Sequence, residues 1–531
     1  MAFVTLAFML FVAATAACYF LFPLKHRWIV LLVASYIFFW INSQWLVVVI
    51  FAATLITFLI GRWITAINEK SKKQLQERAE DLTPQRRKAI KAAAKKKSRA
   101  VLVLGIVLVL SFLLVLKYYN FFADVSNGLL KYLGVTLPHY SFLMPIGISF
   151  YTLQAIAYMT DVYRNKCTAD TNLFKFMLFM SFFPQIVQGP IARHGQLAHQ
   201  LYEGHRFDYE RATFGAQLFL WGMMKKLIIA DRIAVAVNTV FDNYQQYTGL
   251  MVFFAAACYG IQVYTDFSGG MDIARGAAQI MGIDLELNFR QPYSSRSIEE
   301  FWRRWHITLG AWMREYIFYP LSLSKGFGKM SKSARKIFGQ FFGKRLPAFL
   351  AMFIVYFLVG IWHGPAWKYI AYGVWNGMFI VTGILLAETY DKTRAVLRID
   401  DNAFGWRLFQ MLRTFVIVSL GRFFPRAESL TVALRMFQNM TVDFFDLSFI
   451  VDGRLQDLGL DTANWILLAV AVVVLLVVDQ MHERGVEIRK SIARQHVIFR
   501  WIVYYAAILL VLIFGIYGPG YDSASFIYEQ F

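Results

Sequence analysis

Cysteine is scarce in this chain, and so is charge. Only Cys18, Cys167 and Cys258 occur in 531 residues, far apart and in no metal-ligand or redox spacing. A disulfide scaffold and a cysteine-based metal or dithiol centre are therefore excluded, and the three are expected to be small buried apolar residues. Charged residues make up 17% of the chain against 58% hydrophobic, and the mean hydropathy is +0.47. A soluble fold of this length needs more polar surface than that. Disorder and collagen are excluded by the same composition. There is no GxSxG elbow, P-loop, HExxH or CxxC, which removes the commonest serine-hydrolase, nucleotide, zinc-protease and thiol-redox chemistries. No repeat of solenoid period is found, nor a matching second half of the kind inverted-repeat transporters often show.

What is present is a series of long apolar runs. They predict an all-α polytopic membrane protein, one integral domain over 1–531. The net charge of +20 arises from 54 Lys/Arg against 34 Asp/Glu. A nucleic-acid binder could show that balance, but the basic residues here lie between apolar runs, so a membrane surface and no nucleic acid is expected. Twelve Lys/Arg fall between Lys70 and Arg99, including Lys95, Lys96 and Lys97. The positive-inside rule makes 62–100 a cytoplasmic loop, either a solvated helical loop beside anionic lipid or a docking site for an acidic carrier protein. Lys325 to Arg345 has seven Lys/Arg and no acid, so 322–346 is a second cytoplasmic loop.

Three runs, about Phe3–Leu21, Trp28–Ile41 and Trp45–Ile60, precede the first basic loop and put the N-terminus outside. The last runs, Trp465–Val478 and Ile502–Ile516, flank the basic segment His482–Arg500 and put the tail 517–531 outside. Both ends outside require an even number of crossings, and ten or twelve are expected, with re-entrant or interfacial helices besides. Leu143–Tyr158, with Pro145, Gly147 and Gln154, and Leu173–Ile191, with Pro184, Gln185, Gln188, Gly189 and Pro190, read as broken helices shielded by protein or lining a wet cavity. Lys225 and Lys226 can snorkel to the interface. Asp443–Asp461 reads as an extracytoplasmic or interfacial excursion. Asp266-Phe267-Ser268-Gly269-Gly270-Met271-Asp272 sets two carboxylates beside glycines at a span end. It could hold a cation, or turn and pack as a short hydrophilic segment.

Of nine histidines, seven (His26, His139, His194, His199, His205, His482, His496) lie in or near loops, where a surface role is the default. His306 lies in Phe301-Trp302-Arg303-Arg304-Trp305-His306-Ile307-Thr308-Leu309, an amphipathic block that fits an interfacial helix opening to the cytoplasm. His363 ends an apolar run of seventeen residues that starts near Leu346. That run rises ~25 Å, which sets His363 deep in the bilayer or across it, with Gly364-Pro365 breaking the helix. An ionisable residue beside such a break is a functional candidate. An imidazole there could take a proton from an alcohol attacking a thioester, with Trp362 or Asn376 as a hydrogen-bond donor to the oxyanion. That chemistry needs neither metal nor redox cofactor.

At these residues the chain resembles the membrane-bound O-acyltransferase (MBOAT) family, closest to its bacterial alginate O-acetylation and teichoic-acid D-alanylation branch. The matching blocks are Val33-Ala34-Ser35-Tyr36-Ile37-Phe38, Pro145 to Tyr151, Phe183-Pro184 to Gly189-Pro190, and Asp266 to Gly269. Asn288-Phe289 with Pro292-Tyr293 leads into Phe301–Leu309, and Trp362-His363-Gly364 follows. The resemblance implies a ring of helices, thin at its centre, around a tunnel in the bacterial cytoplasmic membrane. It implies that His363 is the active-site histidine and His306 the second functional one, with Trp302, Arg304, Trp305, Trp362, Asn376 and Asn288 in support. The donor would be a cytoplasmic acyl thioester, acetyl-CoA first and a carrier-bound D-alanyl group second; a transporter or flippase is the non-enzymatic alternative. The chain ends Phe526-Ile527-Tyr528-Glu529-Gln530-Phe531. This is similar to a terminal motif whose tyrosine accepts the acyl group before an extracytoplasmic SGNH-type transferase receives it, so Tyr528 is the candidate acceptor. One departure from the alginate-type pattern is the basic insert that follows Tyr319-Pro320-Leu321, which puts the donor's docking mode in question.

Overall fold

The computed structural model of the protein describes residues 1–77, 82–517 and 526, without the side chains of 341, 342 and 344. Among the described residues there is no strand, only an isolated antiparallel bridge between Phe289 and Trp305. The expectation of an all-α membrane protein therefore holds. Six helical stretches are long and apolar enough to cross a bilayer, namely Leu24–Glu77, Pro84–Leu133, Gly249–Ile280, Arg345–His363, Thr462–Glu483 and Val497–Phe514. The pair Trp367–Leu385 and Ala387–Val396, bent by 56°, would be a seventh.

That is fewer than the ten or twelve crossings expected, and the reason is local. The 54-residue stretch Leu24–Glu77 corresponds to ~80 Å of helix, more than twice the ~30 Å hydrocarbon core. It is interrupted at Gln44, whose φ is 46°, so one apolar stretch has the length of two passes. Other runs are shortened or carry buried polar groups. Leu6–Leu21 has sixteen residues. Leu173–Ser181 stops ahead of Pro184 and restarts as the four-residue turn Phe183–Ile186, the break that the proline and amides predicted. Ile148–Tyr163, by contrast, is unbroken, because Pro145 and Gly147 precede its first turn and Gln154 donates from its buried side chain to the Phe179 carbonyl at 2.9 Å.

The chain divides into two compact bodies, Met1–Ala216 with Ala274–Glu286, and Gln217–Ile273 with Leu287–Phe531. The first holds the basic segment, which is helical almost throughout: Val47–Glu77 and Pro84–Leu113. Thr83 caps the second of these and Pro84 occupies its first turn, where the missing N–H costs nothing. The two helices close tightly where Gly105 meets Ile60, a Cβ there falling 2.8 Å from its side chain. Loop histidines are not all exposed here. His194 sits among Tyr158, Phe176 and Phe179, with Nε2 2.7 Å from Asp170, which also accepts from the Tyr202 hydroxyl. The cysteines differ from expectation too. Only Cys258 is buried, Cys167 is intermediate and Cys18 is exposed on the apolar helix Leu6–Leu21.

The second body carries both candidate histidines. The basic insert after Leu321 is a helix that breaks at Gly339 (φ 76°) and folds back on itself before running on to His363. The Ser331 hydroxyl reaches the Gly343 carbonyl at 3.0 Å across that bend. Beyond it, Arg345–His363 crosses Trp367–Leu385 at a pair of glycines. A Cβ on Gly360 would stand 2.5 Å from the Tyr369 carbonyl, and one on Gly373 would stand 2.4 Å from that of Tyr356. Small residues at a membrane crossing let the backbones touch, and this one brings His363 against the Tyr372–Asn376 face.

Candidate active site

His306 does not lie on one continuous interfacial helix as the Trp/Arg pattern suggested. The block folds as two seven-residue helices, Ile298–Arg304 and Ile307–Met313, hinged at His306. Ser297 caps the first, accepting from the Glu300 N–H at 3.1 Å, with Glu299 and Glu300 in its first turn and Arg303 and Arg304 in its last, the arrangement a helix dipole favours. Phe301 and Trp305 face inward and are buried, stacked at 5.3 Å, so the face expected to meet lipid is core.

At the hinge His306 adopts the left-handed backbone, φ 46° and ψ 54°, which costs a non-glycine residue on the order of 1 kcal/mol or more. Its neighbours hold it there. The Arg290 N–H donates to the Arg304 carbonyl at 2.9 Å and the Ile307 N–H to the Asn288 carbonyl at 3.0 Å. Arg304 is clamped by both oxygens of Glu483, at 2.9 and 3.0 Å, and by Glu300 at 3.0 Å.

Asn288 then fixes the imidazole. Its Oδ1 accepts from both the backbone N–H and the hydroxyl of Thr308, each at 2.9 Å. A backbone N–H can only donate, so the amide orientation is set, and Nδ2 faces the His306 Nδ1 at 3.1 Å. Oδ1 lies farther from Nδ1, at 3.3 Å, so the shorter contact makes Nδ1 the acceptor, and a neutral His306 then carries its proton on Nε2. Burial, with 2% of the residue exposed, holds the imidazole well below its usual pKa, and the nearby His363 pushes the same way. His306 is thus a neutral hydrogen-bond donor at physiological pH.

The two histidines belong to one aromatic stack. His306 packs edge-on against Trp362 at 5.8 Å, Trp362 against His363 at 5.1 Å, and His363 against Tyr372 at 5.7 Å. The helix carrying His363 ends there, as the Gly364-Pro365 break predicted, and a Cβ on Gly364 would meet the Tyr369 ring at 2.4 Å. His363 is buried, with 9% of its surface exposed. Trp362 and Asn376 were equal candidates as oxyanion donor. Asn376 spends Nδ2 on the Tyr372 carbonyl at 2.8 Å and accepts from the Trp302 indole N–H at 3.2 Å, so its amide is a brace. Trp362 stands between the imidazoles.

The structure adds Arg422 and Tyr372, which the sequence reading did not single out. Buried Arg422 donates to the Tyr372 hydroxyl at 3.2 Å and lies 4.6 Å over the Trp305 ring. An arginine just past the apolar segment Phe415–Leu420 was the available signal. Phe267 packs on His306 at 4.9 Å.

The Asp266–Asp272 segment lies inside the helix Gly249–Ile280, not at its end, and its carboxylates meet lysines. Lys226 Nζ is 2.6 Å from Asp266 and 2.9 Å from Asp231, and Lys225 Nζ is 2.6 Å from Asp272. Lys225 and Lys226 are thus buried and paired rather than snorkelling, because the π-turn Lys225–Ala230 directs them inward. Among the described residues no group of acids, histidines and cysteines has metal-binding geometry.

The tail returns to this same turn. The Ile516 N–H donates to the Leu227 carbonyl at 3.1 Å. Arg232 grips the Phe514 carbonyl with both terminal nitrogens, at 2.9 and 3.0 Å. Phe526 is buried beneath the Lys226 ammonium, 4.6 Å from its ring centre. Tyr528 lies outside the described residues.

Comparison with known proteins gives the family. Residues 104–418 match the membrane-bound O-acyltransferase family. The chain is 33% identical over 463 residues to a probable alginate O-acetylase AlgI of Pseudomonas putida, covering 86% of this chain and 83% of that protein. It is 29% identical to a peptidoglycan O-acetyltransferase of Helicobacter pylori over 64% of each chain. Identity to a teichoic acid D-alanyltransferase of Streptococcus thermophilus is 27%, over 50% of this chain and 62% of that one. With its helical membrane fold and with both histidines inside the matched segment, the chain belongs to the membrane-bound O-acyltransferase family and is an O-acyltransferase.

Proposed function

We propose that the protein takes an acetyl group from a cytoplasmic thioester, acetyl-CoA, and delivers it across the bacterial cytoplasmic membrane for O-acetylation of an exported or cell-surface polysaccharide. The observation that carries this reading is the stack His306–Trp362–His363, in which one imidazole is held neutral by burial beside the other. His363 removes the proton from an attacking hydroxyl as that oxygen bonds to the thioester carbonyl carbon. The carbonyl oxygen gains the negative charge, and the His306 N–H, preset by Asn288, donates to it. Collapse breaks the C–S bond, and the thiolate leaves with the proton from the His363 imidazolium, so proton and charge balance over the cycle.

The first hydroxyl is that of Tyr528. Its phenol, with an ordinary pKa near 10, needs a base to attack at neutral pH. The burial of Phe526, two residues earlier, supports a tail that folds back onto the protein. From acyl-Tyr528 the group passes to an extracytoplasmic SGNH-type transferase. Transfer of a D-alanyl group from an acyl carrier protein is the second reading. The longer and closer similarity to alginate O-acetylases favours acetyl.

Purified protein incubated with acetyl-labelled CoA tests this. The wild type should carry label on Tyr528 by mass spectrometry, and Tyr528→Phe should lose the label while still hydrolysing the thioester with water. An unlabelled tail in a wild type that still supports surface O-acetylation would end the tail's role.

A further inference from the structure

The basic hairpin of the first body contains a groove that the acyl-transfer reading does not use. It is a cavity of about 720 Å³ between the helices Val47–Glu77 and Pro84–Leu113.

 Its walls come from one face of each helix. Trp63, Ile67, Lys70 and Gln74 line one side, and Lys97, Val101 and Leu104 line the other. Ala93, Ala94 and Ala100 keep the gap open, since side chains this small do not reach across it. Behind them the Ser98 hydroxyl donates to Asn68 Oδ1 at 3.0 Å, which ties the two helices together.

The groove is graded along its length. At its membrane end stand Trp63, Val101 and Leu104, next to the exposed apolar residues Val103, Val107 and Leu108 that face lipid. Seven residues along the helix from Trp63, or ~10 Å further on, come Lys70 and, from the opposite helix, Lys97. Among the described residues no carboxylate forms an ion pair with either lysine. An apolar floor continuous with the lipid-facing surface, an interfacial tryptophan and two ammonium groups at headgroup height form an amphipathic slot with a cationic end.

We propose that this groove binds an anionic phospholipid of the cytoplasmic leaflet, with its phosphate between Lys70 and Lys97 and an acyl chain along Trp63, Val101 and Leu104. An acidic carrier protein would meet the same charge. However, it would leave the apolar floor without an occupant, whereas a lipid fills both ends.

The full-length protein tests this in nanodiscs and by native mass spectrometry after delipidation. Wild type should retain or rebind phosphatidylglycerol in preference to phosphatidylcholine. Lys70→Gln with Lys97→Gln should weaken that binding ~30-fold, as two lysines at a membrane surface imply. Ala94→Leu, which fills the groove and leaves the charge intact, should displace the lipid with the melting temperature unchanged. Equal retention by the double variant, or no preference between the two lipids, would overturn the proposal. So would an acidic carrier protein that binds wild type, but not the double variant, when the lipid does not.

Discussion

The Nδ2 of Asn288 lies 3.1 Å from the Nδ1 of His306, and Thr308 leaves the amide no other orientation. One asparagine thereby decides which nitrogen of a buried imidazole carries the proton. Replacing Asn288 by Asp keeps the shape and reverses the polarity. The carboxylate would draw the proton to Nδ1 and raise the pKa of His306. We predict a loss in acyl-transfer rate of ~100-fold, the scale of removing one oxyanion donor, with the protein still folded in the membrane. The loss relative to wild type should shrink as pH falls, because the raised pKa lets His306 take a second proton and regain its Nε2–H. A rate measured against pH for both proteins checks this.

The depressed pKa of His306 also makes stability depend on pH. Unfolded, the imidazole takes a proton below about pH 6.5, whereas the folded protein keeps it neutral to well below that. The unfolded state therefore binds more protons in that window, and stability falls as pH drops from about 7 towards 5. His306→Gln should flatten that part of the melting-temperature profile in detergent.

Lys226 bridges two buried carboxylates, Asp231 and Asp266. Lys226→Met removes the cation and leaves both, and should destabilise the fold by ~3–5 kcal/mol, the cost of breaking a buried pair. Phe526→Ala removes a buried ring and its contact with that cation, ~3–5 kcal/mol, and should lower acyl transfer to Tyr528 more than the loss of stability accounts for. Thermal melts beside label transfer separate the two effects.

The glycine crossing is equally exacting. Gly373→Val places a Cβ 2.4 Å from the Tyr356 carbonyl, so the two helices must part and His363 must leave its contact with Tyr372. Acyl transfer should fall at least tenfold in protein that still reaches the membrane, which immunoblotting of membranes beside the activity assay would show.

The sequence made some of this legible and not the rest, for physical reasons. His363 could be found because a histidine, a glycine and a proline at the end of an apolar run state both a depth and a break. The broken helix at Pro184 could be found for the same reason. The hinge at His306 could not, since no glycine marks its left-handed backbone, and the conformation is held by the Asn288–Arg290 segment from outside both helices. Amphipathic spacing in Phe301–Leu309 was real, but its aromatic face meets protein rather than lipid, and periodicity alone does not distinguish them. Lys225 and Lys226 looked like snorkelling residues because their partners are 40 and 47 residues away in the sequence for the pairs with Asp266 and Asp272. Arg422 follows an apolar segment, but its partner Tyr372 is 50 residues away in the sequence.

The most direct test of the central claim is thioester turnover by purified His363→Ala in detergent, beside wild type and His306→Ala. The account predicts that acetyl transfer and thioester hydrolysis both fall by at least 100-fold in His363→Ala, in protein whose melting curve stays cooperative, as expected for loss of a general base. Turnover by His363→Ala at the wild-type rate would contradict it.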